Sequence, residues 1–237
     1  ARVEIGIEDL INDEEVVVTS TDKGYVKRTP IDVYRAQKRG GVGVNATNIL
    51  EDDIIKDMYI AKNLDSLLIF TTKGKVFNIK VYEVPESSKQ ARGRLIGNLI
   101  KLQDGETVST IIKVREFEKE RDIFFLTRKG IVKKTNLELF ANINKAGIKA
   151  IGLRDDDELI FAGLTSGNQK DEMFLATREG FAIRFSEEDV RSMGRTASGV
   201  KGITLRSKDI IVAGAIINGT EEELAQKTIL TIAEEGY

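Results

Sequence analysis

The chain contains no cysteine, no histidine and no tryptophan, and only two prolines among its 237 residues. The first two absences exclude disulfides, cysteine-containing zinc sites, thiol nucleophiles and every catalytic dyad that needs an imidazole base. Long apolar runs are also missing. None approaches the roughly 18 to 20 residues of a membrane-spanning helix, and the N-terminus lacks a basic-then-apolar signal pattern. We therefore expect a soluble, unsecreted protein without thiol or imidazole chemistry.

What the sequence does have is an internal repeat of β-hairpins. An apolar strand, a turn that ends in glycine and a second strand recur five times, with turn glycines at Gly24, Gly74, Gly130, Gly180 and Gly236. The spacings alternate between 50 and 56 residues, and glycine supplies the positive φ that such turns need. A recurrence of this length is typical of propellers and other repeat arrays.

Each repeat also holds a loop of small or basic residues after the hairpin and then a second β-rich run, such as residues 53–60 and 106–114. Four-stranded units repeated along a chain are the blades of a propeller. We predict an all-β, propeller-like domain over residues 1–237. Its repeats are predicted at about residues 14–63, 64–119, 120–170 and 171–225, with a partial repeat at 226–237. Because the last hairpin is incomplete, we expect the natural domain to continue past residue 237.

One loop of the first repeat combines two cations with three glycines. It consists of Gln37, Lys38, Arg39, Gly40, Gly41, Val42 and Gly43. Glycine lets the backbone approach a ligand closely, successive N–H groups form an anion-binding concavity, and the cations add charge. A single loop of this kind is more often a tight turn with solvated cations. Here it occupies a fixed place in a repeat, and we interpret it as a phosphate-binding loop.

The distribution of charge is more informative than the net charge of −2. Four windows that run from a hairpin turn through the following loop, residues 20–39, 71–101, 127–154 and 177–208, hold 27 Lys or Arg against 9 Asp or Glu. The rest of the chain holds 9 against 29. Equivalent positions of successive blades fall on one ring of the surface, so the windows predict a basic rim. Its candidate residues are Arg35, Lys89, Arg92, Arg94, Lys145, Lys149, Arg195 and Lys201.

Such a rim suits the phosphates of duplex DNA, which it would bind through the backbone without reading bases. The alternative is a charged β-surface that only prevents aggregation. The acidic runs at residues 155–158 and 221–223 lack the alternating spacing of a calcium loop. We interpret both runs as solvated turns and predict no metal site. No pair of carboxylates has a recognisable catalytic spacing, so no catalytic residue is predicted.

Residues 37–43 resemble the gyrase A box, the motif Q-(K/R)-R-G-G-(K/R)-G found in the C-terminal domain of the DNA gyrase A subunit. The similarity covers essentially the whole chain, and further segments that carry it are residues 7–11, 24–28, 80–85, 91–94 and 164–167. One position departs from the motif. Val42 stands where the box usually has a cation, which leaves this loop with two cations instead of three.

The resemblance implies a six-bladed β-pinwheel, of which four to five blades are covered, with hairpins exchanged between blades. It implies that the rim wraps double-stranded DNA in a positive sense, which lets the ATP-dependent holoenzyme introduce negative supercoils. The implied partners are DNA, the rest of the gyrase A subunit, and the gyrase B subunit in an A2B2 assembly in the bacterial cytoplasm, at the nucleoid. Catalysis, ATP and Mg²⁺ are implied for other domains, with no cofactor in this one.

Two rival functions stay open. The C-terminal domain of the topoisomerase IV A subunit shares the architecture but degrades or lacks the box, and it would bind DNA without the same wrapping. A protein-interaction propeller belongs to a different class. The chain has no tryptophan and hence no WD pattern, and a basic rim has no use in that function.

Overall fold

The computed structural model describes residues 6–35, 53–219, 223 and 227. In chain order its strands are β1 (Glu15–Thr21), β2 (Tyr25–Pro30), β3 (Ile55–Lys62), β4 (Ser66–Thr71), β5 (Lys75–Lys80), β6 (Arg94–Leu95), β7 (Val108–Val114), β8 (Asp122–Thr127), β9 (Ile131–Asn136), β10 (Ile148–Lys149), β11 (Leu159–Leu164), β12 (Glu172–Thr177), β13 (Ala182–Ser186), β14 (Val200–Lys201) and β15 (Ile211–Ile217). The predicted all-β class is confirmed.

Helices are short throughout the described residues. The elements are the α-helix α1 (Asp32–Arg35) and the 3-10 helices Ile7–Leu10, Val81–Glu83, Ile96–Asn98, Leu137–Phe140 and Glu187–Asp189. None of these helices is long and apolar enough to cross a membrane. Apart from Ile7–Leu10, which precedes β1, they lie between strands.

The strands form four antiparallel sheets, which are the blades of a propeller. The strand orders are β3-β1-β2-β6, β10-β5-β4-β7, β11-β8-β9-β14 and β13-β12-β15. Each sheet contains the hairpin that its turn glycine predicts, and the strand beside the first arm of that hairpin is the second β-rich run of the same repeat. The propeller-like architecture is therefore confirmed, with four blades in the described part of the chain.

The outermost strand of each of the first three sheets comes from the loop that follows the hairpin of the next sheet. In β6, Arg94 lies opposite Val26 of β2. The strands β10 and β14 pair in the same way with β5 and β9. The expected exchange between blades thus takes the form of a two-residue strand that each repeat adds to the sheet before it.

The core lies between successive sheets, because the central strands are apolar on both faces. Along β8, Ile123 and Phe125 pack toward the second sheet, while Phe124 and Leu126 pack toward the fourth. Since successive side chains of a strand point to opposite faces, a strand between two neighbours reads as a continuous apolar run. The run Ile123-Phe124-Phe125-Leu126 is the sequence signature of that burial.

The sheets are arranged radially, with the strands β7, β11 and β15 on the inner side. Contacts between neighbouring sheets join β7 with β11 and β11 with β15. The N–H of Ala162 in β11 donates to Oγ1 of Thr110 in β7 at 3.2 Å. The exchanged strands β6, β10 and β14 occupy the opposite edge of their sheets, so the loops that carry them lie at the outer rim.

A buried acid fixes most of the hairpin turns. Oδ1 of Asp157 accepts the N–H of Lys129 in the turn at 3.0 Å and the N–H of Glu158 at 2.9 Å. Asp53 and Asp209 hold the turns of the first and fourth sheets in the same way. The interpretation of residues 155–158 as solvated is therefore wrong for Asp157, which is 9% exposed and anchors a turn.

Candidate nucleic-acid interface

The glycine-rich box lies outside the described residues, and its role stays a prediction. Gln37, Lys38, Arg39, Gly40, Gly41, Val42 and Gly43 fall between Arg35 and residue 53. Arg35 is the last residue of α1, the helix that leads from the first hairpin toward the box. Among the described residues, the candidate interface therefore consists of the three basic loops that contain β6, β10 and β14.

The remaining candidate cations all lie in or beside the exchanged strands at the outer rim. Arg94 is in β6, Lys149 in β10 and Lys201 in β14. Their side chains are exposed, as are those of Arg92 and Lys145, while Lys89 and Arg195 are half-buried. The structure thus places one basic loop on the outer edge of each of the first three sheets, as the repeat phase predicts.

The three exchanged strands pair in the same register, but the cation does not occupy the same position in all of them. Lys149 and Lys201 pair with the first residue of their partner strands, Lys75 and Ile131. Arg94 pairs with the second residue of β2, so it is offset by one position. Because side chains alternate along a strand, Arg94 leaves the rim on the other side of its sheet. Sequence spacing did not resolve this offset.

Two loop glycines bring the basic loops into contact with the sheets beneath them. Gly93 and Gly199 precede β6 and β14 and have φ values of 93° and 94°. A Cβ on Gly199 would lie 2.3 Å from the carbonyl oxygen of Val132, and one on Gly93 would lie 2.5 Å from that of Val26. Glycine is required at both positions, because the turn is left-handed and the backbones nearly touch.

Two lysines that belong to the basic windows of the sequence are buried beneath these loops. Lys27 in β2 is 1% exposed and Lys133 in β9 is 0% exposed. Nζ of Lys27 donates to the carbonyl oxygens of Lys89 at 2.6 Å, Ala91 at 2.8 Å and Ser88 at 3.4 Å. A lysine ammonium has three donors and no acceptor, so a cluster of carbonyl oxygens suits it.

Lys133 joins two consecutive basic loops. Its Nζ donates to the carbonyl oxygens of Ala150 at 2.6 Å, Arg195 at 2.6 Å and Gly194 at 3.3 Å. Ala150 follows Lys149 directly, so one ammonium lies beneath both Lys149 and Arg195. Burial, with the nearby Arg195 guanidinium adding to it, lowers the pKa of Lys133 to about 7. The structure thus joins the backbones of the two loops that carry these candidate cations.

Aromatic rings support the cations of the loop on the first sheet. Nζ of Lys89 lies 4.8 Å from the ring centre of Tyr34 in α1, and the Arg92 guanidinium lies 5.3 Å from that of Tyr25. A cation above an aromatic face gains about 0.5 to 1 kcal/mol at an exposed site. The contact with Tyr34 also places Lys89 against the helix that precedes the box.

Several other cations of the basic windows are paired inside the protein. The guanidinium of Arg28 contacts the carboxylate of Glu86 at 2.9 Å. Lys134 contacts Glu187 at 3.3 Å, and both side chains of this pair are buried. Such cations neutralise nearby acids, so the charge that the rim presents is smaller than the sequence windows suggest.

A family model described as "DNA gyrase C-terminal domain, beta-propeller" matches residues 15–62, 65–115, 121–166 and 171–218. The A subunit of DNA gyrase from Lawsonia intracellularis is 46% identical over 233 residues, which are 98% of this chain and 28% of that protein. The corresponding protein of Klebsiella oxytoca is 45% identical over 235 residues, 99% of this chain and 26% of that protein. The chain spans about a quarter of the length of these relatives.

Two solved structures are similar to this fold. The C-terminal domain of DNA topoisomerase IV gives a TM-score of 0.74 at 33% identity, covering 88% of this chain and 63% of that one. The DNA gyrase A C-terminal domain gives a TM-score of 0.63 at 27% identity, covering 85% of this chain and 64% of that one.

Proposed function

Because the chain belongs to the DNA gyrase C-terminal domain family, we propose that it binds duplex DNA along its outer rim and wraps it. The observation that carries the proposal is the repeated placement of a basic loop on the outer edge of each of the first three sheets. When such cations bind phosphates, they release counterions from the DNA, and this release favours binding. It requires no particular base sequence.

A rim of repeated loops suits a wrap better than a straight contact. Smooth bending of a 20 to 30 base-pair site by 40 to 90° costs roughly 1 to 6 kcal/mol, so the contacts have to be spread along the arc. Arg94, Lys149 and Lys201 lie in the exchanged strands of three successive sheets. The second and third sheets, whose cations lie at equivalent positions, thereby add successive phosphate contacts along the path of the DNA.

We propose further that the wrap has positive handedness and that it serves an ATP-dependent type IIA topoisomerase in the bacterial cytoplasm. In that enzyme this domain is non-catalytic and acts with the rest of the gyrase A subunit and with the gyrase B subunit in an A2B2 assembly. ATP and Mg²⁺ are then needed by other domains, and DNA binding by this one should persist in EDTA without nucleotide. Loss of binding on chelation would contradict this division of labour.

The topoisomerase IV type of DNA binding is the second candidate, and the TM-score of 0.74 with that domain favours it. A topology assay separates the two. The protein is bound to nicked circular plasmid, the nick is sealed with ligase, and the linking number of the product is measured. A positive shift supports chiral wrapping of the gyrase type. Binding without a shift supports the topoisomerase IV type, and no binding at low salt would refute a DNA function.

A further inference from the structure

The two buried lysines Lys27 and Lys133 have a role that goes beyond stabilising their own strands. Among the described residues, the acceptors of their ammonium groups belong to the basic loops, in or beside a candidate DNA-binding cation. Neither ammonium can reach phosphate, because the side chains are 1% and 0% exposed. We propose that they are positioning residues, which lock the basic loops against the sheets and so set the spacing of the phosphate contacts.

Burial of a charged group argues for a specific task. Removing an ammonium from water is strongly unfavourable unless hydrogen bonds replace its hydration. For Lys133 the replacement is three carbonyl oxygens from two different loops. A loop that moved away would leave both the ammonium and the carbonyls unpaired, so the lysine opposes any displacement of the loops.

Lys133 also fixes the distance between two loops. It lies beneath the segment that follows Lys149 and beneath Arg195. The N–H of Gly152 donates to the carbonyl oxygen of Ala197 at 3.1 Å, which joins the same two loops a second time. The phosphate contacts of adjacent blades are therefore held at one separation instead of moving independently.

The second sheet shows how a loop is held without a lysine. Phe77 lies three residues after its turn glycine, as Lys27 and Lys133 do in theirs. A Cβ on Gly147 would meet the Phe77 ring at 2.7 Å, so the ring packs directly against the loop. In this loop a glycine packs against an aromatic ring. The loops on the first and third sheets instead present carbonyl oxygens, which need a hydrogen-bond donor.

The test compares Lys133→Met with two controls. Methionine keeps an apolar stem of similar size but donates no hydrogen bond. Lys149→Ala removes an exposed rim cation but leaves the hydrogen bonds of Lys133 in place. Leu175→Ala destabilises the core of the fourth sheet, where Leu175 is 0% exposed. Two quantities are measured for each variant: amide hydrogen exchange and the salt dependence of binding to a random-sequence DNA duplex.

Lys133→Met should speed exchange of two amides that tie this loop down, those of Met193 and Gly202, by about tenfold or more relative to the amides of β12. These amides donate to the carbonyl oxygens of Lys134 at 2.7 Å and Gly130 at 2.9 Å. Unchanged exchange at both amides would show that Lys133 does not hold the loop against the sheet, whatever the result of the DNA-binding measurement. If Lys133→Met does not fold, Lys27→Met gives the same test at the Ser87 amide.

The positioning role rests on the proposed DNA function, and the binding measurement tests it separately. Lys133→Met should reduce the slope of log binding constant against log salt concentration (the log-log salt slope) by up to about 1.8. This is the loss of two phosphate contacts, although Lys133 itself touches none. Leu175→Ala should leave the slope unchanged, and Lys149→Ala should lower it by about 0.9 without faster exchange. Faster exchange with an unchanged slope would overturn the positioning role. An unaltered protein that binds no DNA would refute the proposed function, while the exchange result would still decide on the lock.

Discussion

Gly199→Ala should destabilise the protein more than Gly180→Ala, although both glycines have a positive φ. Gly180 has a φ of 84° and no atom within 4 Å of an added Cβ. Its replacement costs only the strain of a left-handed alanine, roughly 1 to 2 kcal/mol. Gly199 has a φ of 94°, and its Cβ would lie 2.3 Å from the carbonyl oxygen and 3.0 Å from the carbonyl carbon of Val132.

The extra cost at Gly199 follows from what has to move. The two nearest obstructing atoms are backbone, so rotation of a side chain does not relieve the clash, and β14 has to separate from β9. This separation removes the two pairs Val200 with Val132 and Lys201 with Ile131. At about 0.5 to 1.5 kcal/mol of net stability per hydrogen bond, the additional loss is roughly 1 to 3 kcal/mol. Gly199→Ala should therefore cost roughly 2 to 5 kcal/mol in total.

Urea denaturation of both variants measures this difference. The midpoint should fall in both and fall further for Gly199→Ala, with an unchanged m-value. Hydrogen exchange of the Gly202 amide should be faster in Gly199→Ala alone. Equal losses of stability, within about 0.5 kcal/mol, would refute the inferred contact between the loop and the sheet.

Three further predictions concern the box, the rim and an acid. Lys38→Ala with Arg39→Ala should leave the fold intact, weaken DNA binding modestly and strongly reduce the linking-number shift; an unchanged shift would refute the role assigned to the box. Arg195→Ala with Lys201→Ala should lower the log-log salt slope by about 1.8, and a constant slope would place both off the DNA path. Burial tends to raise the pKa of Asp209, but hydrogen bonds from Thr177 and two backbone N–H groups outweigh it and lower the pKa. The stability it contributes should be complete above about pH 4 and lost as the pH falls further. Asp209→Asn should flatten urea midpoints between about pH 5 and 2, and equal pH dependence would contradict the assignment.

The hairpins were predictable because their signals are local. An apolar run such as Leu67-Leu68-Ile69-Phe70 followed by a turn glycine specifies two strands within a few residues. The structure has β4 and β5 there. The placement of the basic loops on one rim was also predictable, because equivalent positions of a repeat occupy equivalent places.

The partners of long-range contacts were not predictable in the same way. A two-residue strand such as β10 is too short to carry a periodic pattern, so nothing local identifies its place beside β5. Charge counting treated Lys133 as rim charge, although its acceptors lie up to 62 residues away. Asp157 was misassigned for the same reason, since only the folded chain places the turn at Lys129 beside it.

The exchanged outer strand also has a consequence for synthesis on the ribosome. When β2 has been made, its outer edge stays open until β6 emerges about 65 residues later, which takes roughly 3 to 13 s at 5 to 20 residues per second. An open edge of this kind can pair with another nascent chain. The first three sheets each pass through such an interval, and each is completed only when the next hairpin has been translated. Growth of the array is thus ordered from the N-terminus, with every new repeat protecting the one before it.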